Sequence, residues 1–284
     1  MKAPSAEGRR QKWTGRLFCG EFPHWSRRRT QLQGHLLAVV TDIFPNFASA
    51  LAACGQGYND GEIADVVAFM TSAVPVDNLQ VAPEQAVNSI LAVGIAASDI
   101  VDRPLHVLDL GGGCGFHYLR VSAAIRAPLR WAIVETPAMA ERAAKLAQGR
   151  FEVFTDIAAA AASLGRIDLV HASSSIQYVP DPLAALKTIA ALRPRYFMLA
   201  RFPSWGRAQI VGVQTSRLAA NGYGPMPPNI ADREIKYPVT FTNFYDVAQV
   251  LTEYEIAIAT DSPSSEYDFR GQKIQGKSVI FRRK

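Results

Sequence analysis

Cysteine is scarce: the chain of 284 residues has three, Cys19, Cys54 and Cys114. They are odd in number, far apart and in no CxxC spacing. That excludes a disulfide framework, a zinc cage and an iron–sulfur cluster, and it suits a reducing compartment. Long apolar runs are also missing. Asp, Ser or Pro interrupts each Ala-rich stretch well before the roughly 20 residues that a spanning helix needs. The basic N-terminus is followed by no apolar segment with a small-residue cleavage site, so no secretory signal is expected and the expected location is cytoplasmic. No grouping of acids, His or Cys suggests a metal, and none is expected.

Charged residues make up only 19% of the chain and hydrophobic ones 49%, which is globular composition, too apolar for disorder. The net charge of +5 is unevenly placed. Residues 1–31 hold eight Lys/Arg against two acids, and residues 270–284 hold six with none, so the span between them is acidic. A nucleic-acid-binding face needs its cations on the folded surface. Here they sit at the ends, and no nucleic-acid partner is expected. Residues 1–30 read as a basic, irregular arm with Trp13, Phe18, Phe22 and Trp25 among its arginines.

From 31 to 100 the pattern predicts a helical cap. Leu32, Leu36, Val39, Val40, Ile43, Phe47, Leu51 and Cys54 recur at helical spacing, split by Pro45, and further helices follow near 62–71 and 83–99. After Pro104 short apolar runs alternate with helical stretches. Strand-like runs fall at 105–110, 129–135, 151–154, 167–172 and 195–200, which predicts an α/β fold with a parallel sheet covered on both faces. Residues 202–240, rich in proline and glycine and without a clear period, read as an insertion. Two last strands are expected near 255–259 and 278–282.

The segment Val107-Leu-Asp-Leu-Gly-Gly-Gly-Cys-Gly115 carries the chemistry. A strand ends at Asp109 and the chain turns through Gly111, Gly113 and Gly115 into a helix. Glycine is required where φ is positive or where backbone must approach a ligand closely. A dinucleotide G-x-G-x-x-G fingerprint would need glycine at 116, where Phe116 stands, so an NAD-dependent oxidoreductase is disfavoured. The spacing is D-x-G-x-G-x-G. It resembles the first motif of the class I S-adenosylmethionine-dependent methyltransferases. Further elements follow in that family's order: Trp131-Ala-Ile-Val-Glu135, Phe154-Thr-Asp156, and Asp168-Leu-Val-His-Ala-Ser-Ser-Ser-Ile-Gln-Tyr178.

The resemblance implies S-adenosyl-L-methionine as cofactor and a Rossmann-like sheet with helices on both faces, over 101–284. Its cofactor-binding residues would be Asp109, Gly111, Gly113, Gly115, Glu135, Asp156, Ile157, Ser173 and Ser174. In the family Glu135 takes the ribose hydroxyls and Asp156 the adenine amino group. Gly57-Tyr58, Tyr118, Gln177-Tyr178, Arg201-Phe-Pro203, Val213-Gln214 and Tyr237-Pro238 narrow the likeness. They are similar to a family of methyltransferases associated with surface-polysaccharide and other biosynthetic gene clusters.

An in-line methyl transfer gains most from positioning and desolvation, and a hydroxyl acceptor also benefits from a general base. His117, early in the helix after the glycine turn, and Tyr178 and Arg201, beyond two strand ends, are the catalytic candidates. Arg201 has a fork of donors suited to an anionic acceptor. Tyr58, Tyr118, Gln177, Gln214 and Tyr237 are the expected substrate-binding residues. His171, inside a strand, is expected to be a buried, hydrogen-bonded core residue. No Asn/Asp-Pro-Pro-Tyr signature, cytosine-type Pro-Cys or CxxxCxxC motif is present. O-methylation of a small molecule or saccharide is therefore expected. N- or C-methylation of a natural product, and an inactive cofactor-binding partner protein, are the alternatives. The expected partners are the acceptor and, at most, a second copy of the chain.

Overall fold

The strands of this molecule, a computed structural model describing residues 38–75 and 83–284, fall into two connected sets. The first begins at β2 (Leu105–Leu110) and continues with β3 (Leu129–Val134), β4 (Glu152–Phe154), β5 (Leu169–Ser173) and β6 (Tyr196–Trp205). These five are parallel, in the order β4-β3-β2-β5-β6. Strand order reverses between β2 and β5, and that switch point opens a crevice beyond their carboxyl ends. β10 (Gln272–Arg283) joins β6 antiparallel, and β9 (Tyr254–Phe269) lies beside β10.

Strand parity divides the core. Leu108, Leu110, Ala132, Val134, Val170, Phe197 and Leu199 face α6 (Ile157–Leu164), α7 (Pro182–Ala191) and α8 (Phe244–Val250). Leu105, Val107, Trp131, Ile133, Leu169 and Met198 face α3 (Glu84–Ser98) and α4 (Phe116–Ala124). Continuous apolar strands of this kind suit a sheet buried on both sides. The α/β, doubly covered parallel sheet expected from the sequence is what forms. Among the described residues, no helix is long and apolar enough to cross a membrane.

The second set corrects the sequence reading twice. Residues 38–44 are not helical: Ala38–Phe44 is a strand, β1, although α1 (Phe47–Ala52) follows after Pro45 as expected. The span 202–240 is mostly strand, with β7 (Ile210–Arg217), β8 (Glu234–Asn243) and the end of β6. These elements pair β6–β8–β7–β1–β9–β10–β6, a closed ring of six strands. Pro225, Pro227 and Pro228 fall in the connection between β7 and β8, so the strands of this span carry only Pro203 and Pro238. Val40, Trp205, Val239, Phe241, Tyr267, Phe269 and Ile274 fill the ring. The last hairpin is also far longer than expected, spanning 254–283. The basic arm, 1–30, lies outside the described residues.

Two helices of the 31–100 span take different places. α2 (Gly61–Ser72), capped by the Asp60 side chain, sends Ile63, Val67 and Met70 against Cys114 and Met139, over the glycine turn. α3 instead buries Ala92, Val93 and Ala96 against the main sheet.

Candidate active site

The glycine turn follows β2 directly. Gly111, Gly113 and Gly115 all have left-handed φ, at 68°, 58° and 91°. A Cβ on Gly111 would overlap the Ser175 side chain, and one on Gly115 would lie 2.6 Å from the Phe151 ring. Packing from below, as well as φ, excludes larger residues.

Glu135 sits just past β3. Its Oε1 accepts the Gly113 N–H at 2.8 Å and its Oε2 the Thr136 N–H at 2.9 Å. Each oxygen keeps a lone pair, so two parallel acceptors are aimed by the backbone. Desolvation pushes this carboxyl up to about 7, against the two backbone hydrogen bonds that lower it. Across the crevice, Ser173 and Ser175 each have a buried Oγ without a partner. Ser174, at φ 53°, ties its N–H to Ala200 C=O at 2.8 Å. Asp156 caps α6 through the Ala159 N–H at 2.8 Å, and Ile157 opens that helix. A strand-end glycine turn, a two-acceptor carboxylate and orphaned hydroxyls fit the amino-acid tail and nucleoside of S-adenosylmethionine. Cys114 supplies no nucleophile, because burial pushes its thiol up to about 12.

Asp109 departs from its expected place. Parity turns it away from the crevice, onto the α3/α4 face, where it is fully buried. Its Oδ2 accepts Trp131 Nε1–H at 3.0 Å, and Oδ1 lies 2.7 Å from His171 Nδ1. A Cβ on Gly112 would overlap this carboxylate, so Asp109 supports the turn from beneath rather than touching the cofactor.

The chain of contacts continues. His171 Nε2 is 2.8 Å from Ser89 Oγ, and Ser89 Oγ is 2.8 Å from His117 Nδ1. Ser89 Oγ also donates to the Gln85 carbonyl at 2.9 Å. Hydrogens are assigned from these partners. The Asp109 carboxylate takes a hydrogen from His171 Nδ1, and the Ser89 hydroxyl gives its one hydrogen to the Gln85 carbonyl, so it faces both histidines with its oxygen. The serine oxygen then accepts Nδ1–H of His117, and a lone pair remains on His117 Nε2. Burial, with His171 and Arg201 nearby, holds His117 well below the ordinary imidazole range, so the ring is neutral. His171 is thus the buried core residue expected, and it also orients His117.

Beyond β5 and β6 lies a group of phenols. The Tyr58 ring is 4.3 Å from Tyr237 and 4.9 Å from Tyr178, centroid to centroid. Tyr178 Oη donates to Gln214 Oε1 at 3.0 Å, and Gln214 Nε2 donates to Tyr237 Oη at 3.0 Å. Gln177 Nε2 donates to Tyr267 Oη at 3.1 Å, and its Oε1 is buried without a partner. Burial raises the hydroxyls of Tyr58, Tyr178 and Tyr237, so they remain protonated. Arg201 Nη1 donates to Tyr223 Oη at 3.0 Å.

The structure brings Tyr58, Gln177, Tyr178, Gln214 and Tyr237 into one cluster. Tyr118 is a correction. It points beneath the turn, 5.3 Å from the Phe151 ring and 5.9 Å from Trp131, because its position on α4 faces the sheet. Ser89, Tyr223 and Tyr267 were not anticipated. Ser89 is one hydroxyl in an Ala-rich helix, and the two tyrosines reach the site only through the 202–240 segment and the closed ring.

Among known proteins, the methyltransferase domain family matches residues 82–223, half of the chain. No curated protein matches the chain. Similar solved structures include an S-adenosylmethionine-dependent methyltransferase from Clostridium acetobutylicum, at 10% identity and TM-score 0.44, covering 69% of this chain and 91% of that one. The sugar N-methyltransferase KedS8 from Streptoalloteichus sp. has 16% identity and TM-score 0.44, with coverages of 71% and 89%. CalS10, an amino pentose methyltransferase from Micromonospora echinaspora, has 13% identity and TM-score 0.45, with coverages of 70% and 92%. With half of its residues matched, the chain belongs to the methyltransferase domain family, whose methyl donor is S-adenosylmethionine.

Proposed function

We propose that the protein methylates a hydroxyl of a small molecule or saccharide, with His117 as the general base. The observation that carries this reading is the neutral His117 ring, held through Nδ1 by Ser89 and His171 back to Asp109. Among the described residues Nε2 has no partner, so its lone pair is available to an acceptor proton. S-adenosylmethionine, when bound, supplies an electrophilic methyl group. Gly111, Gly113, Gly115, Glu135, Asp156, Ile157, Ser173 and Ser174 would hold it. Tyr58, Gln177, Tyr178, Gln214 and Tyr237 exclude water and orient the acceptor. When the methyl carbon exchanges its sulfonium C–S bond for a bond to the acceptor oxygen, leaving S-adenosylhomocysteine, His117 Nε2 would take the hydroxyl proton, and the positive ring would be stabilised through Ser89 and His171 by the Asp109 carboxylate. A positioned base of this kind contributes about 100- to 10,000-fold.

The test is an acceptor screen by mass spectrometry on the full chain, with hydroxylated metabolites, sugars and their amino analogues. A gain of one methyl on oxygen, lost in His117→Gln, supports the reading. Methylation of amino analogues alone would overturn it.

A further inference from the structure

Among the described residues, Arg201 has no counter-charge, and no carboxylate pairs with it. Its Nη1 is taken by the neutral Tyr223 hydroxyl, and its Nε is buried without a partner. The groups that act on it electrostatically are the phenols of Tyr223, Tyr267, Tyr178 and Tyr58, and it in turn acts on the neutral His117. Glu84, which acts on Tyr223, instead accepts the Ser264 N–H at Oε2 (3.2 Å), and its Oε1 is buried without a partner. A desolvated cation surrounded by neutral dipoles is costly unless a ligand supplies the missing charge.

The backbone shows that this placement is imposed. Leu199 stands opposite Val279 and Phe202 opposite Lys277, so Ala200 and Arg201 together face Ser278 across a bulge. Arg201 takes φ 54° there, in the left-handed region that non-glycine residues avoid. Ser278 Oγ accepts its N–H at 3.2 Å, and Ser265 Oγ donates to its carbonyl at 3.2 Å. Bulges commonly re-aim one side chain beside an active site. Here the bulge falls where β6 leaves the main sheet for the closed ring. Strand order places it two strands from the β2 glycine turn, across β5.

We infer that Arg201, with Tyr223, is an anion receptor, and that the methyl acceptor carries a carboxylate or phosphate group. The inference rests on the proposed methyl transfer for the word acceptor, but the anion site itself does not depend on turnover. The guanidinium offers Nε–H and a second nitrogen as a planar fork, which matches two oxygens of either anion.

The experiment uses the full chain saturated with S-adenosylhomocysteine and follows, by nuclear magnetic resonance, the Arg201 Nε–H resonance in the wild type and the Tyr223 ring resonances in the wild type and both variants. Inorganic phosphate or acetate is added against chloride at equal ionic strength. Arg201→Gly suits the left-handed backbone, so it deletes the guanidinium without adding strain; Arg201→Lys keeps the charge without the fork. A saturable shift with phosphate or acetate but not chloride is expected, with affinity at least tenfold weaker in both variants. No shift beyond that of chloride, or unchanged affinity in Arg201→Gly, would overturn the inference. A second arm compares S-adenosylhomocysteine with methylthioadenosine, which lacks the amino-acid tail. If Arg201→Gly weakens only the former, the anion is the cofactor's carboxylate and the anionic acceptor is overturned. Failure of the wild type to bind S-adenosylhomocysteine would count against the methyltransferase reading, separately from the anion result.

Discussion

Asp109 and His171 are register partners on adjacent parallel strands, and their side chains meet at 2.7 Å on the buried face of the sheet. From that contact a chain of hydrogen bonds runs through Ser89 to His117, so a strand residue beneath the glycine turn sets the orientation of a buried ring in the first turn of α4.

Because burial depresses the His117 pKa, the base is already free at neutral pH. At saturating donor and acceptor, kcat for methyl transfer is expected to be flat above about 6.5 and to fall only on acidification. His117→Gln should lower kcat about 100-fold or more with little change in KM. A rising rate through pH 7 to 9 would contradict a neutral histidine base.

Ser89→Ala leaves His117 Nδ1 and His171 Nε2 without their shared partner. A lost buried partner costs about 1–3 kcal/mol. Urea unfolding should show that loss, and kcat should fall further than stability alone explains. Ser89→Thr, which keeps the hydroxyl, should recover part of kcat.

Glu135 gives a pH signature in the unliganded protein. Its folded pKa of about 7 lies above the model-compound value of 4.5, so the folded state holds the proton more tightly. Its contribution to stability is complete below about 4.5 and is lost as pH rises through about 7, by up to about 3 kcal/mol. His117 works in the opposite direction, losing stability as pH falls below about 6.5, so a difference measurement is needed. The Tm difference between wild type and Glu135→Gln, taken across pH 4 to 8, should change in the wild type's disfavour as pH rises. A pH-independent difference would contradict the buried carboxyl.

Gly111→Ala meets both the positive φ and the Ser175 side chain. A loss of about 2 kcal/mol or more is expected, together with loss of donor binding. Gly149→Ala, also at positive φ but with nothing within 4 Å, should cost less and spare binding.

The parallel sheet and the cofactor crevice were legible because they rest on local signals: apolar strands bounded by glycine turns, and carboxylates at strand ends. Residues 38–44 were not, for a physical reason. Val39, Val40, Thr41 and Ile43 are β-branched and suit a strand, yet apolar residues at 36, 39, 40, 43 and 47 mimic a helical face. What decides is pairing with β7, where Val40 stands opposite Gln214, far along the chain. The same non-local closure hid Tyr267. The direction of Asp109 was legible in principle, since it shares parity with Val107 and Trp131 lies beside it on β3. The likeness of the motif to cofactor-binding turns drew it to the crevice instead. Nothing local marks Ser89; only packing of α3 on the sheet brings it between two histidines.

Calorimetric titration of the full chain with S-adenosylhomocysteine, alongside Glu135→Ala, tests the central claim most directly. Saturable binding in the micromolar range, weakened at least tenfold in the variant, is the predicted result. Absence of binding by folded wild-type protein, or equal binding by Glu135→Ala, would contradict the assignment of this crevice to the methyl donor.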